Sequence, residues 1–184
     1  MLYDDIEKIY PSHKNDLIPE EDRDAFCKKN KILIDLVENL SLLDKEFVFF
    51  GGIALILYFK KIFRCHNDID IFILRQDTSF WKKHFQDLGY RFFADGIFKF
   101  QVYDKNCRLA TLVVYENWSI YNIELKKMVK KNEKLPTYKI LNIDNRLYRV
   151  ADPDHIKETK LKKINRYFYR QNKDFTDLIN YFGE

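Results

Sequence analysis

The chain has few cysteines, no long apolar run and no strong excess of either charge. Its three cysteines among 184 residues are Cys27, Cys65 and Cys107. They have no metal-ligand spacing, and their odd number argues against a disulfide framework. The first residues, Met1-Leu2-Tyr3-Asp4-Asp5, are acidic and lack the apolar stretch of a secretory signal. The longest apolar run, Ile53 to Phe59, is far too short to span a membrane. These absences favour a soluble protein in a reducing, cytoplasmic setting with no membrane partner. Repeats and low-complexity linkers are also missing. No G-x-x-x-x-G-K-[ST] sequence exists, which excludes a P-loop NTPase, and there is no kinase-type glycine loop.

What is present is globular in character. Apolar residues make up 46% and aromatics 16%, which argues against disorder. The length suits one domain. Residues 1–18 are weakly patterned and read as a lead-in, followed by a single domain over 19–184. Its core spans about 30–150 and its C-terminal helices about 152–182. Lys and Arg outnumber Asp and Glu by 32 to 28, too little to name a partner class. Basic residues predominate from Lys126 to Arg170, however, so this segment suits either a polyanion or a solvated face.

Pro19-Glu20-Glu21-Asp22 predicts a helix start, with proline in the first turn and acids at the positive end of the dipole. That helix is expected to run to about Leu43. Phe47–Phe50 reads as a buried strand, Ile53–Lys60 as a short apolar helix and Asp68–Leu74 as a second strand. Ser79 is placed to cap a helix over Phe80–Leu88. Further strands are expected at Tyr90–Ala94, Ile97–Tyr103, Leu109–Tyr115, Ile120–Leu125, Tyr138–Ile143 and Leu147–Val150, joined by polar turns. Asp152-Pro153-Asp154 opens a helix to about Tyr169, and Asn172 opens a last one through Phe182. A mixed or antiparallel sheet flanked by helices is an α+β domain.

The candidate chemistry centres on Asp68-Ile69-Asp70. Residues two apart on a strand share a face, so the carboxylates lie on one side and the isoleucines on the other. Adjacent carboxylates repel, and a metal cation or strong donors would hold both ionised. Hard oxygen pairs of this kind suit Mg²⁺. The polar outer face of a half-exposed strand is the competing explanation. Gly51-Gly52, after the first strand and before a helix, allows backbone N–H groups to approach an anion; an ordinary tight turn is its alternative.

Taken together, Gly51-Gly52 and His66-Asn67-Asp68-Ile69-Asp70 resemble the signature of the DNA-polymerase-β-like nucleotidyltransferase superfamily. The "GG…H-x-DID" form is similar to aminoglycoside and lincosamide nucleotidyltransferases and to AbiEii-type toxins. The resemblance implies a nucleotidyltransferase-like mixed β-sheet with C-terminal helices. It also implies two metal ions, Mg²⁺ or Mn²⁺, held by three carboxylates, and an NTP attacked at its α-phosphorus. The lincosamide-type pattern would place the third acid in the Leu109–Val114 strand, where this chain has Ala110 and Thr111. The AbiEii-like arrangement points instead to Glu124, in preference to Glu116 at a turn, with a solvent-facing strand position as its alternative. Glu124 is then also the candidate base.

Towards the C-terminus, Lys160 lies four residues from both Ile156 and Ile164. It therefore points inward and needs an anion or must snorkel. The AbiEii-like family resembles this chain here too, through Lys173-Asp174-Phe175-Thr176-Asp177-Leu178. The expected nucleotide-binding set is Gly51, Gly52, Arg64, Lys160 and Asp174. Arg64 neutralises phosphate or pairs with Asp68 or Asp70, and Asp174 is a dipole-stabilising acid or a partner of Lys160 or Arg170. His66 reads as a satisfied polar residue near the site. The expected activity moves an NMP from ATP or GTP to an acceptor: RNA or tRNA, a protein, or a small molecule. The resemblance adds a toxin-type role with an antitoxin partner. The other function class is a non-catalytic module that binds nucleic acid or protein through residues 126–170.

Overall fold

A computed structural model describes residues 23–61, 66–95, 99–105, 107–116, 119–122, 127–130, 137–166 and 171–183. Five helices are described: α1 (Arg23–Ser41), α2 (Gly51–Phe59), α3 (Thr78–Asp87), α4 (Pro153–Arg166) and α5 (Gln171–Phe182). The strands are β1 (Phe47–Phe50), β2 (Ile69–Leu74), β3 (Arg91–Asp95), β4 (Lys99–Asp104) and β5 (Cys107–Glu116). After them come β6 (Ser119–Asn122), β7 (Lys127–Lys130), β8 (Tyr138–Ile143) and β9 (Arg146–Ala151). They form one mixed sheet in the order β3-β4-β5-β2-β1-β9-β8, with β6 on β5 and β7 on β6. This is the expected α+β architecture, a mixed sheet flanked by helices.

The alternation of β2 fixes the sheet's two faces. Ile69, Ile71 and Ile73 are fully buried, while Asp70, Phe72 and Leu74 are half-buried. A one-residue slip would exchange the faces, exposing three isoleucines worth roughly 1.5–3 kcal/mol each and burying a carboxylate. The isoleucine face carries the core. Phe47 and Phe49 of β1 lie beside it, and Trp81 of α3 packs edge-on against Phe47 at 5.2 Å between ring centroids. Leu33, Leu36, Val37 and Leu40 of α1, and Ile53 to Leu57 of α2, belong to the same buried cluster.

Local chemistry accounts for the element ends. Asp144 and Asn145 both have positive φ, 51° and 62°, between paired Ile143 and Arg146. Two such residues are what a type I′ hairpin turn demands, and Asp and Asn tolerate them. At α4, the Asp152 carboxylate accepts the backbone N–H of Asp154 at 3.1 Å, and Pro153 fills the first helical position. The helix expected from Ser79 begins earlier, at Thr78, with Asp77 in the capping position. Asp77 makes no capping bond because its carboxylate is paired with Lys45 at 2.9 Å. Strand β7 was not expected: Lys-Met-Val-Lys carries too little apolar pattern to declare itself. Residues 1–18, the Pro19–Asp22 helix start, Arg64, Glu124 and Arg170 lie outside the described residues.

His84 of α3 is stacked on Phe80 and edged by Trp81 and Phe85. Burial holds its imidazole below the ordinary value of 6.5, against an opposing pull from Asp87. The unfolded chain therefore binds this proton more readily, so stability is full above 6.5 and is lost as pH falls through the depressed folded value. The urea midpoint should fall on acidification from about pH 7 to 5, and His84→Phe should flatten that slope. An unchanged slope in the variant would remove His84 from the account.

Candidate active site

Strand β1 ends at Phe50 and the chain turns at once into α2. Gly51 makes that turn with φ of 66°, a conformation that glycine adopts without a Cβ penalty. Register pairs Phe50 with Asp70 across the antiparallel β1–β2 ladder, which brings the Asp70 carboxylate over the turn. A Cβ added to Gly51 would collide with Asp70 Oδ2. The glycine is thus required twice, by its backbone angle and by the carboxylate that fills the space beside it. Gly52 follows as the second residue of α2.

Asp68 stands just before β2, and its carboxylate is held from the β5 side. Thr111 Oγ1 donates to Asp68 Oδ2 at 3.0 Å. Arg108 Nε lies 2.9 Å from the same oxygen, an ion pair across a partly exposed surface. Both contacts follow from the parallel pairing of β2 with β5, which sets Thr111 opposite Asp70. Thr111 thus stands beside the acidic pair on the strand where the lincosamide-type pattern expects an acid.

The remaining expected residues divide clearly. Lys160 is buried on α4, and its ammonium reaches Asp174 Oδ1 at 2.8 Å and Asp177 Oδ2 at 2.6 Å, both on α5. Asp174 is therefore the partner of Lys160. Helix α5 is also tied to the end of α2, where Tyr181 donates its hydroxyl to the Lys61 carbonyl at 2.9 Å and packs on Phe59. His66 is buried. Arg64 and Glu124, as noted, are outside the described residues. Sequence reasoning missed Arg108 and recorded Thr111 only as the absence of an acid. The signal for both lies in the β2–β5 register, which no local pattern carries.

Among the described residues, no group of three or more His, Cys, Asp or Glu side chains is arranged to hold a metal ion. The donor set that is present, two carboxylates on neighbouring positions beside a glycine cradle, fits a hard divalent cation that takes its other ligands from water and phosphate.

No family model matches the chain, and no curated protein matches its sequence. Solved structures do. The antibiotic-resistance factor ANT(2'')-Ia, solved in complex with adenylyl-2''-tobramycin, superposes with a TM-score of 0.53 at 12% identity, over 82% of this chain and 84% of that one. The lincosamide antibiotic adenylyltransferase LnuA, solved with lincomycin bound, gives a TM-score of 0.53 at 18% identity, over 83% of this chain and 94% of that one. The chain shares the fold of these two proteins. At these identities the likeness concerns the fold.

Two predictions test the geometry. Gly51→Ala should destabilise the protein by about 1–3 kcal/mol in urea denaturation, more than Gly89→Ala, whose positive φ has open space beside it. Adding Asp70→Ala to Gly51→Ala should recover part of the loss, and strict additivity would refute the contact. Lys160→Met should cost about 3–5 kcal/mol, because it removes the buried ammonium that bonds the buried Asp174 and Asp177 carboxylates. A loss under 1 kcal/mol would show that the triad contributes little.

Proposed function

We propose that this chain is a nucleotidyltransferase that uses Mg²⁺ or Mn²⁺ to move a nucleoside monophosphate from ATP or GTP to an acceptor hydroxyl. The observation that carries this reading is the Asp70 carboxylate seated against the Gly51 turn at the head of α2, with Asp68 two residues earlier in the chain and held by Thr111 and Arg108. The pair offers oxygen ligands at the place where backbone N–H groups open to an anion. The chemistry is taken by analogy from the adenylyl group on tobramycin in one neighbour in fold and from the adenylyltransferase described in the other.

In this reading Asp68 and Asp70 hold the cation, and Glu124 completes the carboxylate set. A cation held there would neutralise triphosphate charge and polarise the α-phosphate. Gly51 and Gly52 cradle phosphate oxygens through their backbone N–H groups. The acceptor oxygen attacks the α-phosphorus in line, the bond to the bridging oxygen breaks, and pyrophosphate leaves. The acceptor's proton passes to Glu124 as base. Arg108 supplies the phosphate-neutralising cation next to Asp68, a role for which Arg64 is the second candidate. The phosphate contact first expected of Lys160 and Asp174 is not carried into this mechanism, since each is engaged by the other in the buried triad. A cytoplasmic toxin-type role with an antitoxin partner is the biological setting that best fits the AbiEii-like motif.

One observation favours the non-catalytic reading instead, a module that binds nucleic acid or a protein partner through residues 126–170: Asp68 is already neutralised by Arg108 and bonded by Thr111. Calorimetric titration with ATP or GTP, with and without Mg²⁺, separates the two. The wild type should bind nucleotide in a Mg²⁺-dependent way, and the Asp68→Ala, Asp70→Ala double variant should bind at least about tenfold more weakly, a change of about 1.4 kcal/mol. Equal Mg²⁺-dependent binding in both proteins would overturn the nucleotidyltransferase reading.

A further inference from the structure

The face of the sheet that bears Asp70 does not end at β5. Register carries it outward in a straight row: Asp70 pairs with Thr111, Thr111 with Gln101, and Gln101 with Phe93 on the edge strand β3. A second row runs alongside it. Arg91 pairs with Tyr103, Tyr103 with Arg108, and Arg108 reaches Asp68. Three strand spacings of about 4.8 Å put Phe93 roughly 14 Å from Asp70.

At the outer end of the two rows lies a concavity of about 350 Å³, lined by Arg91, Phe93, Ala94, Asp95, Gln101 and Tyr103. Its polar groups are already ordered. Tyr103 donates its hydroxyl to Gln101 Oε1 at 2.5 Å, and Gln101 Nε2 donates to Asp95 Oδ2. Phe93 is 48% exposed, with Tyr103 edge-on at 6.0 Å and the Arg91 guanidinium 5.7 Å from its ring centroid. About half of the phenylalanine surface thus stays open to solvent at the mouth of the concavity.

We infer that this concavity seats an unpaired nucleobase of a single-stranded nucleic acid whose terminal hydroxyl lies at the Asp68–Asp70 pair. The chemistry is complementary part by part. Phe93 and Tyr103 offer stacking surfaces, and the Gln101–Asp95 pair offers hydrogen-bonding atoms to a base edge. Arg91 and Arg108 bracket the path as phosphate partners, with exposed Lys99 on the same face. A strand of alternating bases and phosphates matches alternating aromatics and arginines, whereas a compact small molecule would use only one end of the path. The inference deepens the proposed activity, since it names the acceptor, and its acceptor role rests on that reading.

The test is fluorescence anisotropy with a short labelled oligoadenylate RNA and the same strand carrying abasic residues at its 3′ end. The wild type should bind the intact strand several-fold more tightly than the abasic one. Phe93→Ala should weaken binding about tenfold, and Phe93→Trp, which keeps a stacking surface, should not. Arg91→Ala should lower the slope of log affinity against log salt by about one. Equal binding by wild type and Phe93→Ala, equal binding of intact and abasic strands, or no binding at all would overturn the inference. Asp70→Asn keeps the two failures apart: it should still bind the strand. Strand binding without any Mg²⁺-dependent nucleotide binding by the wild type overturns the proposed activity and leaves the base seat standing. Nucleotide binding without strand binding does the reverse.

Discussion

The contact between the Gly51 turn and the Asp70 carboxylate is the constraint around which this molecule is arranged. It requires β1 and β2 to pair antiparallel in one register, so that Phe50 faces Asp70. It requires a residue without a side chain at the head of α2. It also requires β2 to present Asp70 on the face opposite its isoleucines. The same alternation that buries Ile69, Ile71 and Ile73 therefore delivers a carboxylate to the turn. Core formation and site formation are one event here, since neither can change register without the other.

Around that contact the chain provides two kinds of support. On the β5 side, parallel pairing brings Thr111 and Arg108 to the Asp68 carboxylate. On the α2 side, helices α4 and α5 are clamped together by a buried ammonium between two carboxylates, and α5 is fastened to Lys61 through the Tyr181 hydroxyl. Buried ion pairs add little net stability compared with apolar packing, but they are exacting about geometry. Here they hold α5 where it fastens the C-terminal end of α2.

Much of this was legible in the chain, and what was not has a common cause. The D-x-D alternation, the glycine turn, the Asp152-Pro153 helix start and the Asp144-Asn145 hairpin are local patterns of a few residues, and the fold follows them. Lys160 could be read as inward-pointing from Ile156 and Ile164 alone. Its partners could not be fixed, because a phosphate and the α5 carboxylates satisfy the same requirement. Arg108 and Thr111 depend on pairing between strands some forty residues apart, where only the register decides who meets whom. Ser79 lost the capping position to Asp77, whose own carboxylate is drawn away by Lys45. Glu124 and Arg64 remain expectations of the sequence.

The ion pair between Arg108 and Asp68 has a thermodynamic corollary. Under the proposed activity, a divalent cation and the guanidinium would compete for the charge of the same carboxylate. Cation affinity at this site is therefore a difference between two electrostatic states rather than a property of the carboxylates alone. An arginine released from Asp68 becomes a mobile positive charge beside whatever anion accompanied the cation. In that sense the resting ion pair sets a threshold, since the proposed cation would have to compete with the guanidinium for Asp68.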